Sequence, residues 1–220
     1  MGYRIIGSSF IQSTFHTPKE NPPNPQRNPD PRGRLDAVIY SEEESKLVHC
    51  WRESDVHGRW KFGKVISDRA TGPGAIIQSR NKNFLVMVPE ANQQRLAYYI
   101  QDNSGFNAET WRDTRWHLKG KIRSAASGPA SMVVNRINDN LEVVMLEGKQ
   151  LNHYWSENGT AWKGPYRITD RATAPACLIQ SSYTDNLELV VPEGSHLSFY
   201  WRDSRDLQWK PEKGQRIARN

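Results

Sequence analysis

The segment LSFYWRDSRDLQW, from Leu197 to Trp209, sets two indoles, Trp201 and Trp209, around Arg202, Asp203 and Asp206. A flat, weakly polar ring beside a forked guanidinium and carboxylates suits a polyhydroxylated ligand with one apolar face. The ring covers the C–H face, and the charged groups make paired hydrogen bonds to the hydroxyl rim. The phrase recurs. LNHYWSENGTAW (Leu151–Trp162) supplies Trp155, Glu157, Asn158 and Trp162, and LVHCWRESDVHGRW (Leu47–Trp60) supplies Trp51, Arg52, Glu53 and Trp60. All of these are candidate ligand-binding residues. Each also has a packing explanation, because a residue that recurs in every repeat answers a problem every repeat shares. Trp51, Trp155 and Trp201 end an apolar run, and the column Glu53, Asp102, Glu157 and Asp203 is what turn capping would produce.

Acid–base chemistry has fewer candidates. Glu142 and Glu188 occupy the same place in two repeats, with Asp36 in the matching position and Leu85 breaking the column. His49 and His153 share a second repeat position. A buried carboxylate must be partnered, so an inter-blade hydrogen bond or pairing with arginine is the structural role expected of the acids. The same residues would serve an enzyme built on this architecture. Cys50 and Cys177 fall inside apolar runs and read as free buried thiols. No Gly-rich phosphate loop or calcium-loop pattern occurs. From sequence, no catalytic residue, metal site or cofactor is assigned.

The elements that position these groups are set by the repeat. Four units align: about 7–66, 71–122, 128–169 and 174–218. Gln78, Asn135 and Gln180 hold equivalent positions, 57 and then 45 residues apart. A Pro-rich insertion at 16–34 interrupts unit one and is expected to be an extended loop. Each unit reads as four strands: a short apolar one (CLIQS), a longer one (LELVV), a third ending in the Trp motif (LSFYW), and a fourth starting at the second Trp (WKFGKVI). The Asn158–Gly159 pair marks a hairpin turn. Large residues on both faces of the third strand point to sheets covered on both sides by other sheets. The reading is an all-β propeller of four four-stranded antiparallel blades in one domain. Either four blades close alone or another copy of the chain completes the ring, which makes a homo-oligomer a possible assembly.

Composition narrows the partners. The 220 residues carry a net charge of +6 with basic residues scattered rather than clustered, so no nucleic-acid site is expected. No apolar run is long enough to span a membrane. The N-terminus lacks the apolar core of a secretory signal, so a cytoplasmic protein, or one released without such a signal, is expected.

The pattern P-x-x-[LI]-[IV]-Q-S…N-[LF]-E-[VL]-V-V-P…L-x-x-[FY]-W-R-D…W resembles the repeats of bacterial and fungal propeller lectins of the Photorhabdus lectin type. Units three and four match it best. Unit two departs, with Ile100 and Gln101 where the others carry Trp or Trp-Arg, and unit one carries Trp51, Arg52 and Glu53 together with the insertion. The resemblance implies non-catalytic glycan binding between adjacent blades, often of fucosylated or methylated sugars. The alternatives are a protein-interaction scaffold on the same aromatic surface, and an enzyme using Glu142, Glu188, His49 or His153.

Overall fold

Apolar β-formers separated by Gly, Asn and Asp turns yield sixteen strands in a computed structural model, which describes residues 5–13, 34–52, 59–91, 95–103, 115–124, 126, 128–203, 206 and 208–217. The first sheet holds β1 (Ile5–Gln12), β2 (Leu35–Ser41), β3 (Lys46–Arg52) and β4 (Lys61–Ser67). The second holds β5 (Ala75–Gln78), β6 (Phe84–Glu90), β7 (Arg95–Gln101) and β8 (Trp116–Arg123). The third holds β9 (Ser131–Val134), β10 (Leu141–Glu147), β11 (Gln150–Ser156) and β12 (Lys163–Thr169). The fourth holds β13 (Cys177–Gln180), β14 (Leu187–Glu193), β15 (His196–Arg202) and β16 (Lys210–Arg216). In every sheet the strands lie side by side in chain order. The chain is thus all-β, in antiparallel four-stranded sheets, as the repeat predicts. Of the insertion, only Arg34 lies among the described residues.

Register between the second and third strands is the same in the first, third and fourth sheets. Leu35 faces Arg52, Leu141 faces Ser156 and Leu187 faces Arg202; one step on, Asp36 faces Trp51, Glu142 faces Trp155 and Glu188 faces Trp201. Because side chains alternate, this register fixes two faces per sheet. One, here called the forward face, carries the acid position and the third-strand Trp. The rear face carries the residue that ends the third strand.

The chain divides into two compact units, 1–88 with 99–118, and 89–98 with 119–220. In the first, forward-face Val38, Tyr40 and Leu47 pack on rear-face Phe84, Val86 and Val88, with Ile76. In the second, forward-face Val144, Leu146 and Leu151 pack on rear-face Leu187, Leu189, Val191 and Tyr200. Burying each such aliphatic side chain contributes about 1.5–3 kcal/mol. Neighbouring sheets are also tied at their first strands: Ile76 N donates to Ser9 Oγ (3.4 Å), and Leu178 N to Ser131 Oγ (3.0 Å).

The expectation of two covered faces holds for β6, where every residue is buried, and for all but the last residue of β10. The fourth sheet differs. Along β14 residues alternate between buried and half-buried, and Ile179 and Leu197 on its forward face are 52% and 45% exposed. The rear face of the first sheet likewise leaves Phe10 and Phe62 70% and 67% exposed. Ile5 opens β1 opposite Ser41 of β2.

Candidate functional site

The register places Glu142 at the start of the forward face of the third sheet, and Arg202 at the end of the rear face of the fourth, so the packing of these faces brings them together. Arg202 Nη2 donates to Glu142 Oε1 at 3.0 Å. Asn135 Nδ2 donates to the same oxygen at 3.1 Å, and His153 Nε2 donates to Oε2 at 2.7 Å. Arg202, Glu142, His153 and Asn135 are each 1% exposed or less. The Trp209 ring closes the group. Its centroid lies 5.6 Å from that of His153, edge-on, and 5.8 Å from the Arg202 guanidinium carbon, within cation–π range.

Burial and the neighbouring groups act in opposition on charge in this cluster. Burial by itself would raise the Glu142 carboxyl; the hydrogen bond and proximity of His153, then Arg202 and Asn135, outweigh it and hold the group below its ordinary value. Burial pushes His153 down, with Arg202 adding to that and Glu142 opposing it. The pair is therefore a carboxylate beside a neutral imidazole with its proton on Nε2. That leaves His153 Nδ1 a buried acceptor with no partner, and Arg202 Nε, Arg202 Nη1 and Trp209 Nε1 buried donors with none. Such groups cost about 1–3 kcal/mol each when left unmade, so this cluster holds unused donors that a ligand could satisfy.

The first unit contains a related cluster. His49 Nε2 lies 2.9 Å from Asp36 Oδ1, and Arg34 grips the same carboxylate through Nε (2.9 Å) and Nη2 (2.7 Å). Trp51, Phe84 and Trp116 surround the His49 ring at 5.4–5.7 Å. Here the guanidinium comes from two residues before the acid in the same sheet, while Gln101 ends the third strand of the next sheet in place of arginine. Burial would raise Asp36, but His49 and Arg34 outweigh it and lower it. Tyr98 holds the histidine position of the second sheet. It packs edge-on against Trp162 (6.1 Å), and Gly159 closes over its ring, leaving neither acid nor base there.

The sequence-predicted residues therefore separate. Arg202 and Trp209 meet in the Glu142 cluster, and Trp51 lies in the Asp36 cluster. Trp201 points to the opposite face from Arg202, with Lys210 Nζ 5.4 Å from its ring centroid. Trp155 lies under Lys163 Nζ at 3.9 Å, and Glu157 pairs with the same lysine at 3.1 Å. Asn158 Oδ1 accepts from Thr160 Oγ1 (2.6 Å) and Thr160 N (3.0 Å), a turn-capping role, while Trp162 Nε1 donates to Gly159 O at 3.1 Å. Asp203 is half-buried, and its carbonyl accepts from Asp206 N at 3.0 Å. Trp60 is 44% exposed and Arg52 is half-buried; Glu53 lies outside the described residues. Sequence reasoning missed Asn135 and Arg34 as site members. The available signal was the place of Arg34 directly before the second strand and its buried acid, and of Asn135 directly after the first strand of its sheet. Among the described residues no group of three or more His, Cys, Asp and Glu side chains gathers as metal ligands do.

No family model and no curated relative match this chain. Among solved structures, it is similar to an AofleA variant from Arthrobotrys oligospora with three arginines replaced by alanine (TM-score 0.63, 13% identity, covering 96% of this chain and 56% of that one). It is similar to Aleuria aurantia lectin, a fungal lectin with a six-bladed β-propeller fold and a fucose recognition mode (TM-score 0.64, 9% identity, 96% and 61% covered). It is also similar to an exo-β-1,3-galactanase from Phanerochaete chrysosporium bound to galactose (TM-score 0.55, 10% identity, 84% and 45% covered). The chain spans a little over half the length of the lectins it matches, and the likeness is one of fold: the antiparallel four-stranded sheets of β-propellers.

Proposed function

We propose that the chain is a carbohydrate-binding lectin whose working site is the Glu142–Arg202–His153–Trp209 cluster. One observation carries the reading: an indole sits beside a buried arginine that keeps two donor nitrogens unused. A sugar hydroxyl needs those donors, and its C–H face needs the ring. The donors are shut from solvent, so binding requires the Trp209 indole to move off the guanidinium. Similar solved folds include a fucose-recognising lectin, which favours fucosylated glycans as the first ligands to try. That likeness supports a propeller lectin without singling out the Photorhabdus lectin type. Four sheets are read as four blades of such a propeller.

An enzyme on the same fold is the weaker reading. A glycosidase acid needs a carboxyl raised toward neutrality, whereas Glu142 is held ionised by three donors. The test is binding to an array of fucosylated, methylated and galactosylated glycans. Binding abolished by Trp209→Ala with the melting temperature retained supports the site; an array silent for the wild-type protein overturns it. Trp201→Ala should be made separately, because Trp201 and Arg202 face opposite ways.

A further inference from the structure

Among the described residues, the forward face of the fourth sheet and the rear face of the first both keep large apolar side chains in solvent. Each is the kind of face that is covered elsewhere in the chain. Forward faces of the first and third sheets are buried under rear faces of the sheets that follow them. The fourth sheet presents the same rows on its forward face: Ile179, Val190, Leu197 and Phe199. The first sheet presents exposed Phe10 and Phe62 on its rear face, beside the buried Ala37 and Cys50.

The polar positions also match, residue for residue. Glu188 holds in the fourth sheet the register position that Glu142 holds in the third. Arg52 holds in the first the position that Arg202 holds in the fourth. Among the described residues Glu188 and Arg52 have no ion-pair partner, and Arg52 Nε is buried and unbonded. Trp60 directly precedes β4 as Trp209 precedes β16, and Phe199 holds the ring position of His153, against which Trp209 packs. At the first strands, Cys177 stands where Ser9 and Ser131 stand, and Phe10 where Ile76 and Leu178 stand. Three separate rows of the internal seam are thus present as unjoined halves.

We infer that the forward face of the fourth sheet binds the rear face of the first sheet of a second copy of this chain, head to tail. The seam so formed pairs Glu188 with the partner copy's arginine at position 52 and lays the indole from position 60 against Phe199. It is a further copy of the Glu142–Arg202–Trp209 arrangement, and its site is incomplete without the second chain. The contact is heterologous: two different faces of the same protein meet, as asymmetric head-to-tail assembly requires. A groove of about 910 Å³ between Pro192, His196, Leu197, Arg216 and Ile217 opens at one end of this face. That the new seam would bind sugar rests on the proposed function; the assembly itself does not.

Sedimentation of the full chain without sugar tests the assembly. Wild type should sediment as a species heavier than the monomer, dissociating on dilution. Glu188→Arg and Arg52→Glu should each raise the dissociation constant roughly 30-fold or more, as truncated buried charge pairs do. An equimolar mixture of the two variants should recover the wild-type species, because one seam then pairs the two reversed charges and the other pairs the two native ones. A wild type that stays monomeric at its highest soluble concentration overturns the inference, as do variants that assemble like wild type or a mixture that recovers nothing. Should a variant not fold, the alkylation rate of the exposed Cys177 thiol in wild type decides. It falls with rising protein concentration if the faces join and stays constant if they do not. A silent glycan array alongside concentration-dependent assembly would refute the sugar reading alone.

Discussion

Glu142 and Arg202 lie sixty residues apart in the chain and 3.0 Å apart in space, both almost wholly buried. Neither is a surface group for meeting a ligand by itself. Removing one strands the other in a medium where an unpaired charge is costly. Arg202→Met should therefore destabilise the protein by about 3–5 kcal/mol, and the double change Glu142→Leu with Arg202→Met should cost less than the sum of the single changes. Urea denaturation of the four proteins in that cycle measures the coupling.

Acid should loosen the same cluster in two stages. Both groups have depressed folded-state values. For His153, the unfolded chain takes up a proton more readily, so stability begins to fall as pH drops below about 6.5. For Glu142, the stabilising contribution is full above about pH 4.3 and is lost as pH falls through its lower folded value. His153→Gln keeps a donor to the carboxylate but cannot titrate in this range. It should flatten the first stage, between neutral pH and about 5, and leave the second. Denaturant midpoints across that range give the two slopes; an unchanged first stage in His153→Gln would assign it to another group.

Much of the architecture was legible from residues alone. The recurrence of Leu-Glu/Asp-x-Val and of the Trp-ended third strand marks strand number and register, and the first, third and fourth sheets follow them. The aromatic and acidic columns were harder to assign, because sequence gives the position of a side chain in its own sheet but not what the next sheet places opposite. Arg202 reads as a rim group beside Trp201, yet alternation sends the two to opposite faces, and the acid that meets Arg202 belongs to another repeat. Asn158 reads equally as ligand contact and turn cap; only its bonds to Thr160 decide. The acids that end the second strands escaped notice. Glu193 is buried and accepts from Ser198 (2.6 Å), Thr169 (2.7 Å) and Tyr200 (2.8 Å), fastening strand ends rather than binding anything.

Two glycines separate backbone strain from close packing. Gly148 and Gly159 both have left-handed backbones, at φ +64° and +74°. A Cβ on Gly148 meets nothing within 4 Å, whereas one on Gly159 would sit 2.2 Å from Tyr98 Cε1. Gly148→Ala should cost about 1–2 kcal/mol, the left-handed penalty alone. Gly159→Ala should cost that plus roughly 1–3 kcal/mol of overpacking. Thermal unfolding of the two variants resolves the difference; equal losses would mean that Tyr98 yields freely.

The three sequence-predicted aromatic sets should behave differently toward glycans. The set Trp155, Glu157, Asn158 and Trp162 is absorbed in its own turn: Glu157 pairs with Lys163, Asn158 caps the loop, and Trp162 bonds Gly159 O and packs on Tyr98. Trp209 adjoins unused donors instead. Trp162→Ala should therefore lower stability by about 3 kcal/mol or more, as truncating a large packed ring does, while glycan affinity per folded molecule stays within twofold or so. Trp209→Ala should lower affinity at least tenfold or so, because losing ring contact and guanidinium orientation together exceeds 1.4 kcal/mol. Titration calorimetry with one fucosylated ligand, set beside melting curves, separates these outcomes. If Trp162→Ala and Trp209→Ala lose affinity equally, binding does not reside at the Glu142 cluster.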